Sequence, residues 1–122
     1  MTIVIVDDDP GMCRSLERMI RSYGFEAKAF SSAEAYLVSG HVNNTTCLIL
    51  DLRMPGMNGL DLQTQLRAEG RRFPIIFITG YLDDEVREKA LLGGAIDILE
   101  KPFDSHVLIK KIDEALIRQA CS

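Results

Sequence analysis

Apolar residues fall along this chain in two distinct patterns. Short runs rich in Ile and Val occupy residues 3–6, 47–50, 75–78 and 96–99. These runs do not alternate, which is what a parallel sheet covered on both faces requires. A fifth segment, Phe25-Glu26-Ala27-Lys28-Ala29-Phe30, does alternate, as a half-exposed edge strand should.

Helical patterns with recognisable punctuation lie between the runs. Asp9-Pro10 reads as an N-cap followed by Pro at the first helical position. Leu16, Met19, Ile20 and Tyr23 then recur at helical spacing until Gly24. Ser31-Ser32-Ala33-Glu34 has the form of a capping box and opens a short helix ending near Gly40. A third helix is predicted from near Gly59 to Gly70, and a fourth from about Asp83 to Gly93-Gly94. The fifth follows Pro102 and carries Leu108, Ile112, Ala115 and Leu116 on one face.

Strands alternating with helices specify an α/β domain with a parallel sheet. At 122 residues there is room for one domain, so residues 1–122 read as a single unit. Such a chain buries roughly two-thirds of its unfolded surface and needs no covalent staples. The expected architecture is flavodoxin-like, five strands in the order 2-1-3-4-5 with five helices. Ligands then bind beyond the C-terminal strand ends, where strands 1 and 3 diverge.

Charge and cysteine content narrow the class. Lys and Arg total 14 against 18 Asp and Glu, a formal charge of −4. That lacks the basic footprint of nucleic-acid binding, so no direct nucleic-acid contact is expected. No run approaches the roughly 18 apolar residues of a membrane span, and a cytoplasmic location is expected. Cys13, Cys47 and Cys121 are widely separated and read as free thiols, with Cys47 a small buried hydrophobe.

The residues following the strands carry the chemistry. Strand 1 runs into Asp7-Asp8-Asp9, strand 3 ends in Asp51, strand 4 in Thr79, and strand 5 reaches Lys101-Pro102. Asp9 reads as a helix cap; Asp7 and Asp8 read equally as caps or as ligands. Asp51 weighs toward ligands, because a carboxylate ending a buried strand needs a partner. Mg²⁺ accepts one or two carboxylates and recruits phosphate oxygens. Acids, a hydroxyl and an ammonium group at four strand ends suit a phosphoryl group.

The elements Val6-Asp7-Asp8, Asp51 through Gly59, Ile78-Thr79-Gly80 and Lys101-Pro102-Phe103 resemble the receiver domain of two-component response regulators over essentially the whole chain. The stretch from Thr79 to Phe103 is most similar to receivers attached to LuxR-type DNA-binding domains. No such output domain is present in these residues, and both a stand-alone receiver and an excised one fit. The resemblance implies Asp51 as phosphoacceptor and a Mg²⁺ site of Asp8, Asp7 through water, Asp51 and the main-chain carbonyl of Arg53. It also implies that Thr79 follows the phosphoryl oxygens, that Lys101 pairs with them, and that the Lys101-Pro102 peptide is cis. The donor would be a sensor histidine kinase or a phosphotransfer protein. The domain would then be a switch that catalyses only its own phosphorylation and dephosphorylation.

One departure stands out. Ile98 occupies a position where the family usually carries Tyr or Phe. The signal is then expected to pass through Gly80 and Tyr81 to the fourth helix and fifth strand, facing a partner or a second copy. Tyr81 reads equally well as a surface residue that tunes water access.

Competing classes fit less well. A flavin carrier needs free backbone N–H groups after strand 1, where this chain has an acidic, Pro-containing turn. A haloacid-dehalogenase-type phosphatase has a second Asp two residues after the nucleophile, where Arg53 stands here. A degenerate receiver would lack Asp51, Thr79 or Lys101. His41 and His106 are isolated and receive no role.

Overall fold

The computed structural model describes the backbone of residues 2–121 and the side chains of residues 2–117. Cys121 therefore lies outside the described side chains. The strands are β1 (Thr2–Val6), β2 (Glu26–Phe30), β3 (Thr45–Asp51), β4 (Ile75–Thr79) and β5 (Asp97–Glu100). The helices are α1 (Pro10–Ser22), α2 (Ala33–Val38), α3 (Gly59–Ala68), α4 (Asp84–Leu92) and α5 (Ser105–Cys121). The strands form one parallel sheet in the order β2-β1-β3-β4-β5, as the apolar runs predict.

Successive side chains on a strand point to opposite faces, so each run feeds two cores. Val4, Val6, Leu48, Leu50 and Phe77 pack with Ala33 and Tyr36 of α2, Leu62 and Leu66 of α3, and Ala90 of α4. Ile3, Ile5, Cys47, Ile49, Ile76 and Ile78 pack with Leu16 and Ile20 of α1 and Leu108 and Ile112 of α5. Each fully buried aliphatic side chain contributes about 1.5–3 kcal/mol, so the two layers together favour this sheet over alternatives. Cys47 is completely buried and its thiol is pushed up to about 12 by that burial, as its place in an apolar run suggests.

Helix starts follow the predicted caps with one correction. Asp9 accepts from the N–H groups of Gly11 and Met12, and Asp83 accepts from Val86 N–H. At α2 the cap is Ser32, not Ser31, and it accepts from Ala35 N–H. A box built on Ser31 would place Glu34 at the third helical position. With the helix entered one residue later, the Glu34 carboxylate faces elsewhere. The reciprocal box forms instead at α3, where Asn58 accepts from Asp61 N–H and Asp61 accepts from Asn58 N–H. A short 3-10 turn, His41–Asn44, precedes β3 and has no counterpart in the hydrophobic pattern.

Candidate functional site

Parallel register brings the ends of four strands side by side. Val6 is paired with Leu50, Asp51 with Ile78, and Thr79 with Glu100. The residues following these pairs must then project over one edge of the sheet. Asp7 is fully buried and Asp51 only 4% exposed, whereas Asp8 is exposed. Carboxylate oxygens of Asp7, Asp8 and Asp51 lie within 4.8 Å of one another.

Such crowding is costly unless something compensates. Part of the compensation is Lys101, whose Nζ lies 3.0 Å from Asp7 Oδ2 and 3.6 Å from Asp51 Oδ2. Backbone donors supply more. Asp9 N–H donates to Asp7 Oδ1 at 2.9 Å, and Arg53 N–H donates to Asp51 Oδ1 at 3.2 Å. The balance is incomplete at Asp51. Burial first, and the neighbouring Asp7 charge second, push its carboxyl up to about 6 against the pull of Lys101 and the Arg53 N–H. For Lys101, burial favours the neutral amine. The hydrogen bond to Asp7 and the charges of Asp51 and Asp7 outweigh it and raise the ammonium's pKa.

The donor set fits a hard divalent cation, since it consists of carboxylate oxygens with no thiol or imidazole among them. A residual excess of negative charge at a buried carboxylate is what such a cation relieves. The loop between β3 and α3 starts beside it. Leu52 and Met54 are buried, and Gly59 N–H donates to Leu52 O at 3.1 Å, closing the loop's base. A Cβ at Gly59 would collide with the Asp51 carbonyl oxygen and approach the Leu52 Cα to 3.0 Å. The turn into α3 is therefore tight at Gly59, the predicted start of the helix, and only a missing side chain permits it.

Thr79 is fully buried, and its hydroxyl is engaged with the following loop. Thr79 Oγ1 donates to Tyr81 O at 2.9 Å and accepts from Tyr81 N–H at 3.3 Å. Leu82 N–H donates to Glu100 Oε2 at 3.2 Å. The Arg53 guanidinium lies 5.4 Å from the Tyr81 ring centroid, and Arg53 Nη2 lies 3.7 Å from Asp83 Oδ2. Tyr81 is 63% exposed, whereas Ile98 is buried beside Phe77 in the sheet. The Lys101-Pro102 peptide is cis.

Of the residues singled out in the sequence, Asp7, Asp8, Asp51 and Lys101 are gathered together, Thr79 ends the strand beside Asp51, Ile98 lies within the sheet, and Asp9 is set apart as a cap. Two side chains were not singled out. Arg53 was expected to matter through its main chain alone, yet its guanidinium reaches the loop after β4. Glu34 was expected in a capping box, yet its Oε2 accepts from Met57 N–H at 3.0 Å, 23 residues away. Only tertiary structure reveals either contact.

The chain is similar in sequence and fold to known proteins. The sequence model of the response regulator receiver domain matches residues 3–113. Nodulation protein W of Bradyrhizobium diazoefficiens is 44% identical over 116 residues, covering 95% of this chain and 51% of that protein. Response regulator protein TmoT of Ectopseudomonas mendocina is 46% identical over 114 residues, covering 93% of this chain and 52% of its own length. The chain thus spans about half the length of these relatives. The crystal structure of FixJ-N superimposes with a TM-score of 0.84 at 38% identity, covering 94% of this chain and 92% of that one.

Proposed function

This chain belongs to the response regulator receiver domain family, and from that premise we propose that residues 1–122 form one receiver switched by phosphorylation of Asp51. The reading rests on one observation above others: Asp51 ends a buried strand with Asp7, Asp8 and Lys101 gathered around it. In the proposed transfer, an Asp51 carboxylate oxygen attacks the phosphorus of a phosphohistidine on a sensor kinase or phosphotransfer protein. The P–N bond breaks, the imidazole leaves with the bonding pair and takes up a proton, and an acyl phosphate remains. Water later cleaves it to restore the carboxylate and release phosphate.

The residues divide the work. Lys101 sits close enough to both buried acids to pair with a phosphoryl oxygen on Asp51. The Thr79 hydroxyl supplies a donor to a second oxygen. Asp7, Asp8, Asp51 and the Arg53 carbonyl would hold Mg²⁺, which when bound neutralises charge on the phosphoryl oxygens. The chain's own catalysis would then be confined to gaining and losing this group.

The change is read through the loop after β4. Buried Ile98 is β-branched and cannot perform a large rotation inward. Tyr81 is exposed and tied through its backbone to the Thr79 hydroxyl, so movement of that hydroxyl frees the loop. The responding face would be α4 and β5, where Leu92 is 78% exposed and β5 ends the sheet. A partner or a second copy could dock there. No described helix is long and apolar enough to cross a membrane.

Intact mass after incubation with acetyl phosphate and Mg²⁺ tests the assignment. The wild type should gain one phosphoryl group and Asp51→Asn none. An undiminished adduct in the variant would identify another acceptor.

A further inference from the structure

The far tip of the β3–α3 loop is the turn Pro55-Gly56-Met57, where the Met57 side chain packs against the core cluster that includes Leu52 and Met54. The loop's near half is anchored by buried Leu52 and Met54 and by the Gly59–Leu52 hydrogen bond. The backbone of the tip is held by α2. Glu34 Oε2 accepts from Met57 N–H at 3.0 Å. The same carboxylate covers Gly56, where φ is +73° and a Cβ would lie 2.8 Å from Oε2. Two consecutive residues of the turn are thus shaped to receive one carboxylate. Met57 N–H, the largest influence on that carboxyl, lowers its pKa, so the acceptor stays charged at neutral pH.

A second reading of Glu34 is available, since an acid in the first turn of a helix favours the helix dipole. Helix α2 has only six residues and Ser32 already caps it, and the Glu34 carboxylate is influenced more by the Met57 N–H than by its own backbone N–H. Geometry therefore favours the loop contact. Charge-assisted hydrogen bonds to backbone N–H groups are among the stronger kind, and partners outside a metal's ligand set govern its affinity.

We propose that Glu34 is a positioning residue of the metal site, clamping the tip of the loop that begins at Asp51 and carries the Arg53 carbonyl, and so raising affinity for Mg²⁺. This rests on the metal role proposed above for those residues. Glu34 touches neither metal nor phosphoryl group; it restricts the conformations of residues 53–57.

The test is an amide-shift titration with Mg²⁺ alone, in wild type, Glu34→Gln, Glu34→Asp and Glu34→Ala. Hydrogen exchange at Met57 N–H is followed in parallel without metal. Gln retains an acceptor at the right reach but loses the charge, so Glu34→Gln should lose less Mg²⁺ affinity than Glu34→Asp or Glu34→Ala. Asp keeps the charge but is one methylene short. Glu34→Asp and Glu34→Ala should therefore expose Met57 N–H and weaken Mg²⁺ by about tenfold, the lower end of the cost of losing an outer partner. A helix-dipole role predicts the opposite order, with Asp conservative and Gln deleterious, and that order overturns the clamp. Equal Mg²⁺ affinity in all four proteins, with Met57 N–H deprotected in Glu34→Ala, overturns it too. A wild type that binds no Mg²⁺ refutes the metal reading itself, a distinct failure visible before any variant is made.

Discussion

The two loops that face each other across the site are built on different principles. The one after β3 is fixed at its base by the Gly59–Leu52 bond, in its middle by buried Met54, and at its tip by Glu34. It ends in a reciprocal capping box. The loop after β4 is shorter and more exposed, and three polar attachments hold it: the Thr79 hydroxyl, the Glu100 carboxylate and the Arg53 guanidinium. The Glu100 and Arg53 attachments are exposed and individually weak, so this segment opens at lower cost than one held by buried side chains. The contrast suggests a division of labour, with one loop keeping reacting groups in place and the other responding to them.

A glycine at the end of the first loop and one within the second allow that contrast to be tested. Gly59→Ala forces a Cβ into the Asp51 carbonyl, the Leu52 Cα and the Phe77 ring, none of which can withdraw freely. Urea unfolding should show a loss of about 3 kcal/mol, the upper part of the usual overpacking range. Gly80→Ala meets nothing within 4 Å, and Gly80 does not have a positive φ. Its effect should stay within about 0.5 kcal/mol. Equal losses at the two positions would erase the distinction.

A smaller effect follows from the charge at the rigid side. The Asp51 carboxyl is raised to about 6 in the folded chain from 3.8, chiefly by burial. The folded state therefore binds the proton more tightly. The associated stability is fully present below pH 3.8 and is lost as pH rises through about 6. In metal-free buffer, Asp51→Asn should remove this component, making the variant more stable than wild type at pH 7.5 by about 1–2 kcal/mol. The full shift corresponds to about 3 kcal/mol, reduced here because nearby solvent screens the charge. The gap should shrink toward pH 4 in thermal melts. A gap independent of pH would mean the carboxylate is already compensated without metal.

The least stability is at stake in the loop after β4. Tyr81→Ala removes an exposed ring and its stacking with Arg53, costing about 0.5–1 kcal/mol. Its signalling effect should be larger than its stability effect. With beryllofluoride standing in for the phosphoryl group, amide shifts in α4 should diminish in Tyr81→Ala and persist in Ile98→Ala. Full α4 shifts in Tyr81→Ala, with none in Ile98→Ala, would place the route through β5.

The sheet was legible in the sequence because its central strands, β1, β3 and β4, are buried on both faces. Residues such as Val4 and Ile5 serve opposite cores, and the resulting runs need no knowledge of their neighbours. Asp7, Asp51, Thr79 and Lys101 were legible for a related reason, since parallel topology brings together whatever follows the strands. Details settled by a single residue of register were harder. Ser31 and Ser32 are chemically equivalent caps, and choosing between them redirects Glu34 from its own helix to Met57. The Arg53 side chain was similarly hidden, because its partners lie on the next loop.

The Thr79 hydroxyl carries a single proton, which in this structure is given to the Tyr81 carbonyl. If the same proton is wanted by a phosphoryl oxygen, the two acceptors compete for it, and neither is served fully while the other holds it. Competition of this kind is symmetric in free energy. A binding partner that favours the Tyr81 loop in its present position must disfavour occupation of Asp51, and by the same factor that occupation disfavours the partner. One hydroxyl would then make the extent of phosphorylation at equilibrium a property of the complex as well as of the domain.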